Sequence, residues 1–206
     1  MRRTAVVVAL VALAVPASAG VPRLPRVQVL TVGDAAADAN GLNSQAGLVP
    51  VPAGYLTGVS VASADIVSFS LSRKDDGHRV LALVGTLTLA APPSPGVDYR
   101  IRMSAPHCGI FFLELERSVL GEASYLRHTC ATGTTEVSTG GATLLFARSV
   151  TVGNSITWTV PLRDLPAPVR LGTVLTVTGA QTSGDAVVIG PGIDEVMTSR
   201  TYRIGQ

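Results

Sequence analysis

The chain has 206 residues, of which 47% are hydrophobic, 15% charged and 4% aromatic. That apolar balance excludes a disordered polypeptide, and the length excludes a large multidomain enzyme. The 21 glycines and 13 prolines, with recurrent Thr, Val and Ser, favour short strands joined by turns over long helices, while a formal charge of +2 marks no strongly basic partner surface.

Residues 1–19 read as a secretory signal peptide. Arg2 and Arg3 give a short positive region, Ala5 to Val15 an apolar run, Pro16 a helix break, and Ala17-Ser18-Ala19 the small residues that a signal peptidase reads. The run is well short of the ~20 residues that span a bilayer, so no membrane anchor is expected after cleavage. Removing Arg2 and Arg3 leaves 14 basic against 14 acidic residues. No basic block then remains to neutralise phosphates or an anionic membrane, and nucleic acid is not an expected partner. Residues 20–206 are expected to form a single secreted domain with a substantial core.

After a candidate strand at Val27–Val32 comes the most distinctive segment, Val32-Gly33-Asp34-Ala35-Ala36-Ala37-Asp38-Ala39-Asn40-Gly41-Leu42-Asn43. Calcium takes six to eight oxygens from carboxylates, Asn side chains and loop carbonyls. Asp34, Asp38 and Asn40 offer three, and Asp65, at the start of the next strand, is placed in sequence to close such a site. The alternating acids and terminal Glu of an EF-hand are missing. The same residues equally suit Asx-turns that bond their own backbone, and sequence alone leaves both readings open.

From Asp65 onward the apolar period is two, the mark of half-buried strands. It runs through Asp65–Leu71, through Val80–Leu89 with Leu81, Leu83, Leu87 and Leu89 on one face, and through Tyr99–Met103. In the second of these, Gly85 leaves a gap suited to a bulge or a close contact. Cys108 and Cys130 flank a predicted hairpin, Gly109–Glu116 and Glu122–Thr129. A centre at residue 119 sets Cys108 opposite Cys130 and Leu113 opposite Tyr125. Cross-strand partners lie within the reach of a disulfide, which closes this loop outside the cytoplasm. His107 and His128 flank the cysteines, but neighbouring residues on a strand face opposite ways, which argues against a shared zinc ion. Glu114 and Glu116 share one side of their strand and read as a solvated face. Phe112, opposite in facing to Phe111, Leu113 and Leu115, is the best candidate for a ligand-facing ring, with cover by a loop, as on an Ig-like sandwich, the preferred alternative. Trp158 alternates with Ile156 and Val160 and reads as core.

Further strands are expected at Thr143–Val150, Ile156–Val160, Thr173–Thr178 and Thr201–Ile204, with at most one helical turn between Leu162 and Val169, where Pro161, Pro166 and Pro168 intervene. About ten strands suit an all-β fold, a two-sheet antiparallel β-sandwich of Ig-like or jelly-roll-like type.

The segment Asp34-x-x-x-Asp38-Ala39-Asn40-Gly41, followed by Ala64-Asp65-Ile66-Val67-Ser68-Phe69-Ser70-Leu71, resembles the opening of exported actinobacterial β-sandwich proteins of mostly unassigned function. It is also similar to DOMON-like and carbohydrate-binding sandwiches. Ala35-Ala36-Ala37 stands where that pattern has Pro-Ala-Gly. The resemblance implies a non-catalytic extracellular sandwich, in some members associated with carbohydrate.

No Gly-x-Ser-x-Gly elbow, His-Glu-x-x-His, phosphate-cradling loop or dinucleotide fingerprint occurs. The expected function is a secreted, non-catalytic binding or surface-display module for an extracellular partner or glycan, with calcium in the acidic loop. A stand-alone carbohydrate-binding module and an enzyme of unfamiliar type are the competing readings.

Overall fold

Alternation at period two becomes two stacked sheets in the computed structural model, which describes residues 23–34, 61–118, 121–130, 143–184 and 192–206. The strands are β1 (Leu30–Gly33), β2 (Ile66–Asp75), β3 (Val80–Leu89), β4 (Val97–Ala105), β5 (Cys108–Ser118), β6 (Gly121–Cys130), β7 (Thr143–Phe146), β8 (Arg148–Val152), β9 (Ser155–Pro161), β10 (Val174–Gly184), β11 (Gly192–Met197) and β12 (Thr201–Arg203). A five-stranded sheet runs β1-β2-β3-β9-β8. A seven-stranded sheet runs β11-β10-β4-β5-β6-β7, with β12 also paired to β10. Every pairing is antiparallel. The only helical pieces among the described residues are two short 3-10 turns, Val61–Ser63 and Leu162–Asp164.

The core lies between the inner faces. Phe69, Leu71, Leu83, Leu87, Ile156 and Trp158 come from the first sheet; Tyr99, Ile101, Phe111, Leu113, Leu175 and Val177 come from the second, all buried. Each large apolar side chain in this layer contributes roughly 1.5–3 kcal/mol relative to exposure. Gly85 provides the close contact that its sequence position suggests. A Cβ built there would stand 2.4 Å from Leu113 Cδ1 in the facing sheet. The pairing through Gly85 is regular, with Leu71 on one side and Trp158 on the other, so no bulge is present there.

Three departures from simple alternation shape the surface. The register of β2 and β3 shifts between Lys74, opposite Ala82, and Asp75, opposite Val80. Leu81 is the extra residue of this bulge, and it is 37% exposed instead of lining the core with Leu83. A second shift lies between Cys108 and Phe111, so Leu113 faces Leu126 and Tyr125 faces Glu114, one place from the even hairpin register. Third, the run from Thr143 to Val150 is two strands in different sheets: β7 pairs with β6, β8 pairs with β9, and buried Ala147 lies at the crossing.

The turns follow local polar chemistry. Between β2 and β3, Asp75 Oδ1 accepts the Gly77 N–H at 3.0 Å, and Asp76 Oδ1 accepts those of His78 and Arg79 at 3.0 and 2.9 Å. These bonds to backbone N–H groups hold the Asp76 carboxyl down at about 2.

Candidate functional site

The acidic loop begins where β1 ends. Asp34 donates its N–H to the Val67 carbonyl at 2.9 Å. Since Gly33 pairs with Ser68 in an antiparallel ladder, the chain at Asp34 is directed toward the start of β2, where buried Asp65 stands. Asp34 and Asp65 therefore lie at the same end of the sandwich. Asp38 and Asn40 lie outside the described residues. Among the described residues no group of three or more His, Cys, Asp or Glu side chains is placed to hold a metal ion.

That end contains a carboxylate that strand periodicity does not single out. Asp194, in β11, accepts the Ile66 N–H through Oδ2 at 2.7 Å in a buried position. Thr182 Oγ1 donates to the Ala64 carbonyl at 2.8 Å, and Tyr99 Oη donates to that of Ser63 at 3.0 Å. Three side chains of the seven-stranded sheet thus satisfy the backbone just before and at the start of β2. These bonds add to the pairing of this segment with β3, where Ile66 faces Leu89 and the Asp65 carbonyl accepts the Ala90 N–H at 2.9 Å, and so serve the side of the buried backbone that β3 does not.

Cys108 and Cys130 form the disulfide, as direct cross-strand partners of β5 and β6. The preceding turn is tight: Ala105 pairs with Cys108, leaving Pro106 and His107 as the two central residues. His107 has φ 60°, the left-handed value that a type II turn requires after Pro, and its side chain is exposed. His128 turns inward instead. It is buried, accepts the Cys130 N–H through Nδ1 at 3.3 Å, and burial pushes its pKa down.

The outer face of the seven-stranded sheet carries an ordered array. One row across the strands reads Gln181, Arg100, Glu114, Tyr125; the next reads Gly179, Arg102, Phe112, Arg127. Glu114 is not the solvated residue that its outward position implies, for its exposure is 0%. Oε1 accepts from Arg100 Nε, and Oε2 accepts from Arg127 Nε at 2.6 Å. Arg100 continues to Ser183 Oγ at 3.1 Å and Asp98 at 3.3 Å, and Arg127 to Glu116 at 2.7 Å. Trp158, in the core as expected, fixes the same strand from the other side by donating Nε1–H to the Glu114 carbonyl at 3.1 Å.

Phe112 is half-buried at the centre of this face. The Arg102 guanidinium lies 5.9 Å from its ring centroid and is bonded to Glu195 at 2.5 Å. With both carboxylate oxygens engaged by guanidinium N–H groups and no solvent exposure, Glu114 has no oxygen open to a leaving group. Paired-carboxylate glycoside hydrolysis with Glu116 therefore finds no geometric support.

No protein-family model, curated protein or solved structure matches this chain.

Proposed function

We propose that the chain is a non-catalytic β-sandwich of the cell exterior that binds its partner on the outer face of the seven-stranded sheet. The observation that carries this reading is Glu114, fully buried on an outward face between Arg100 and Arg127. Such a carboxylate fixes the surrounding guanidiniums and the strands beneath them, so the face meets a ligand with little further ordering to lose. The Cys108–Cys130 disulfide fits an oxidising compartment, and no helix among the described residues is long and apolar enough to cross a membrane.

A glycan is the favoured ligand, because the Arg102–Phe112 pair offers an apolar ring edge beside hydrogen-bond donors in the middle of the face. A glycan array probed with the mature protein tests this, with Phe112→Ala as the comparison. Binding that Phe112→Ala abolishes supports a stand-alone carbohydrate-binding module. Binding only to a protein partner supports a display or docking module.

Calcium in the opening loop is part of the proposal, supported by the placement of Asp34 and Asp65 at one end. Its test is a thermal melt with calcium and with chelator, repeated on Asp38→Ala. A shift that the variant loses supports the ion; no shift in the parent protein removes it.

A further inference from the structure

The opposite sheet carries a second surface of different chemistry. On the outer face of the five-stranded sheet, successive rows pair Ser70, Thr86 and Thr157, then Ser72, Val84, Thr159 and Arg148, then Lys74, Ala82 and Pro161. Hydroxyls dominate most of this face, and cations gather at the end near the β2–β3 turn.

Two open hollows meet there. One, of about 460 Å³, lies among Arg79, Leu81 and Arg163; the other, of about 440 Å³, lies among Arg148, Val150 and Asp164. Lys74, Thr159 and Pro161 line both, so they form one continuous trough across four strands. Leu81 faces it because the β2–β3 bulge turns that residue outward.

The charge here is not internally cancelled. Arg79 pairs with Asp76 at 3.0 Å and Arg163 with Asp164 at 3.5 Å. Lys74 and Arg148 make no ion pair among the described residues, and both are exposed. The outer face of the seven-stranded sheet is the contrast, for there each of Arg100, Arg102 and Arg127 is matched to a carboxylate.

We propose that this trough binds a linear acidic polysaccharide, with anionic groups at Lys74 and Arg148 and the sugar chain running between them. The length of the trough favours a polymer over a single small anion. Thr159 and its neighbouring hydroxyls suit sugar hydroxyls, while Leu81, Val150 and Pro161 provide apolar surface for C–H faces of the ring. Among the described residues no aromatic side chain lines either hollow, so they do not offer the stacking that single-stranded nucleic acid requires.

The test is isothermal titration of the mature protein with a polyuronate, a sulfated dextran, neutral dextran and a DNA oligonucleotide. Expected are binding to the polyuronate, the sulfated dextran or both, weakening as salt rises, and no binding to neutral dextran. The arm that binds distinguishes carboxylate from sulfate as the recognised group. Lys74→Glu with Arg148→Glu should weaken acidic-glycan binding at least tenfold with an unchanged thermal melt, and Lys74→Gln with Arg148→Gln should weaken it less. Phe112→Ala should leave it intact, which separates this trough from the face on the other sheet. Absence of binding to both acidic glycans, equal binding to DNA, or binding unaffected by the paired charge reversal would overturn the proposal.

Discussion

Arg73 Nη1 donates to the Gly205 carbonyl at 2.5 Å, tying the C-terminal end of β2 to the turn at Gly205. The same guanidinium bonds the Pro25 carbonyl and reaches Asp75 Oδ2 at 2.7 Å. One buried side chain therefore holds together the described N-terminal segment, β2 and the C-terminal turn. The bond from Arg73, followed by that from the Gly77 N–H, holds the Asp75 carboxyl below its ordinary range.

Replacing Arg73 by Leu should remove a buried guanidinium that serves the Pro25 and Gly205 carbonyls and the Asp75 carboxylate. The expected cost is roughly 3 kcal/mol, read as a lower midpoint in urea denaturation. Arg73→Lys keeps the charge but has no planar fork to reach three acceptors, so it should restore only part of the loss. Equal stability of parent and Arg73→Leu would show that the Pro25 segment and the Gly205 turn are held by other contacts.

Glu114 yields a sharper test, because its two partners can be varied separately. Glu114→Gln removes the charge while keeping nearly the same shape, and it leaves two guanidiniums facing each other across β5. We expect a loss of about 2–3 kcal/mol, below the full range for a buried pair because Arg100 and Arg127 retain partial solvent contact. A double-mutant cycle with Arg127→Met should give a coupling of about 1–3 kcal/mol. Additive effects in chemical denaturation would show that the two groups do not stabilise one another.

A two-sheet antiparallel fold and the facing of most strands were legible because one buried face imposes alternation, but which strands share a sheet was not, and the single strand expected at Thr143–Val150 is divided between the two sheets. Phe69, Leu113, Ile156 and Trp158 are all where their period places them. The cysteine partner was legible, but not its register: with Ser118 opposite Gly121 an even ladder would carry Cys108 one place past Cys130, and the bulge beside Cys108 restores the pair. The bulges were not legible. Nothing in the local pattern distinguishes Leu81 from Leu83, and one added residue after Cys108 moves Tyr125 from Leu113 to Glu114. Burial of Glu114 depends on Arg100 and Arg127 from two flanking strands, and Asp194 meets Ile66 across 128 positions. Such polar pairings are long-range choices, invisible to a window of adjacent residues. For the acidic loop, Asp34 and Asp65 are placed at a common end, whereas Asp38 and Asn40 fall outside the described residues.

His128 makes stability depend on pH in a stated direction. Burial lowers its folded-state pKa from the usual 6.5, so the unfolded chain binds this proton more readily than the folded one. Its contribution is fully present above pH ~6.5 and is lost as pH falls from there through the depressed folded value. Urea midpoints should therefore drop between pH 7.5 and pH 5.5 more for the parent protein than for His128→Gln. Identical pH profiles would show that the imidazole is solvated in both states.

The disulfide adjoining His128 closes a loop with a sequence separation of 22 residues. On the chain-entropy account it should contribute about 3 kcal/mol. Cys108→Ala with Cys130→Ala tests this without the complication of free thiols, and its urea midpoint should fall accordingly under oxidising conditions. Under reducing conditions the parent protein should approach the double variant, while the variant itself should not change. A parent protein insensitive to reductant would mean that the bond is either inaccessible or absent from the native protein, and mass measurement after alkylation separates the two.

Gly85 tests how closely the sheets pack. It is flanked by Leu71 and Trp158 on neighbouring strands, and its missing side chain makes room for Leu113 and Ile101 from the facing sheet. In Gly85→Ala the new methyl would meet Leu113 Cδ1 at 2.4 Å, with Ile101 Cδ1 at 3.3 Å blocking one direction of retreat. Overpacking of this kind costs about 1–3 kcal/mol, and the gain in strand propensity over glycine offsets less than 1 kcal/mol of it. Gly85→Ala should therefore unfold at lower urea concentration than the parent. Combining it with Leu113→Val, which shortens the obstructing branch, should recover part of the loss, even though Leu113→Val alone is destabilising. If the double variant instead shows the sum of the two single losses, Leu113 is not what the new methyl strikes, and the contact between the sheets at this point is looser than the packing of Leu113 on Gly85 implies.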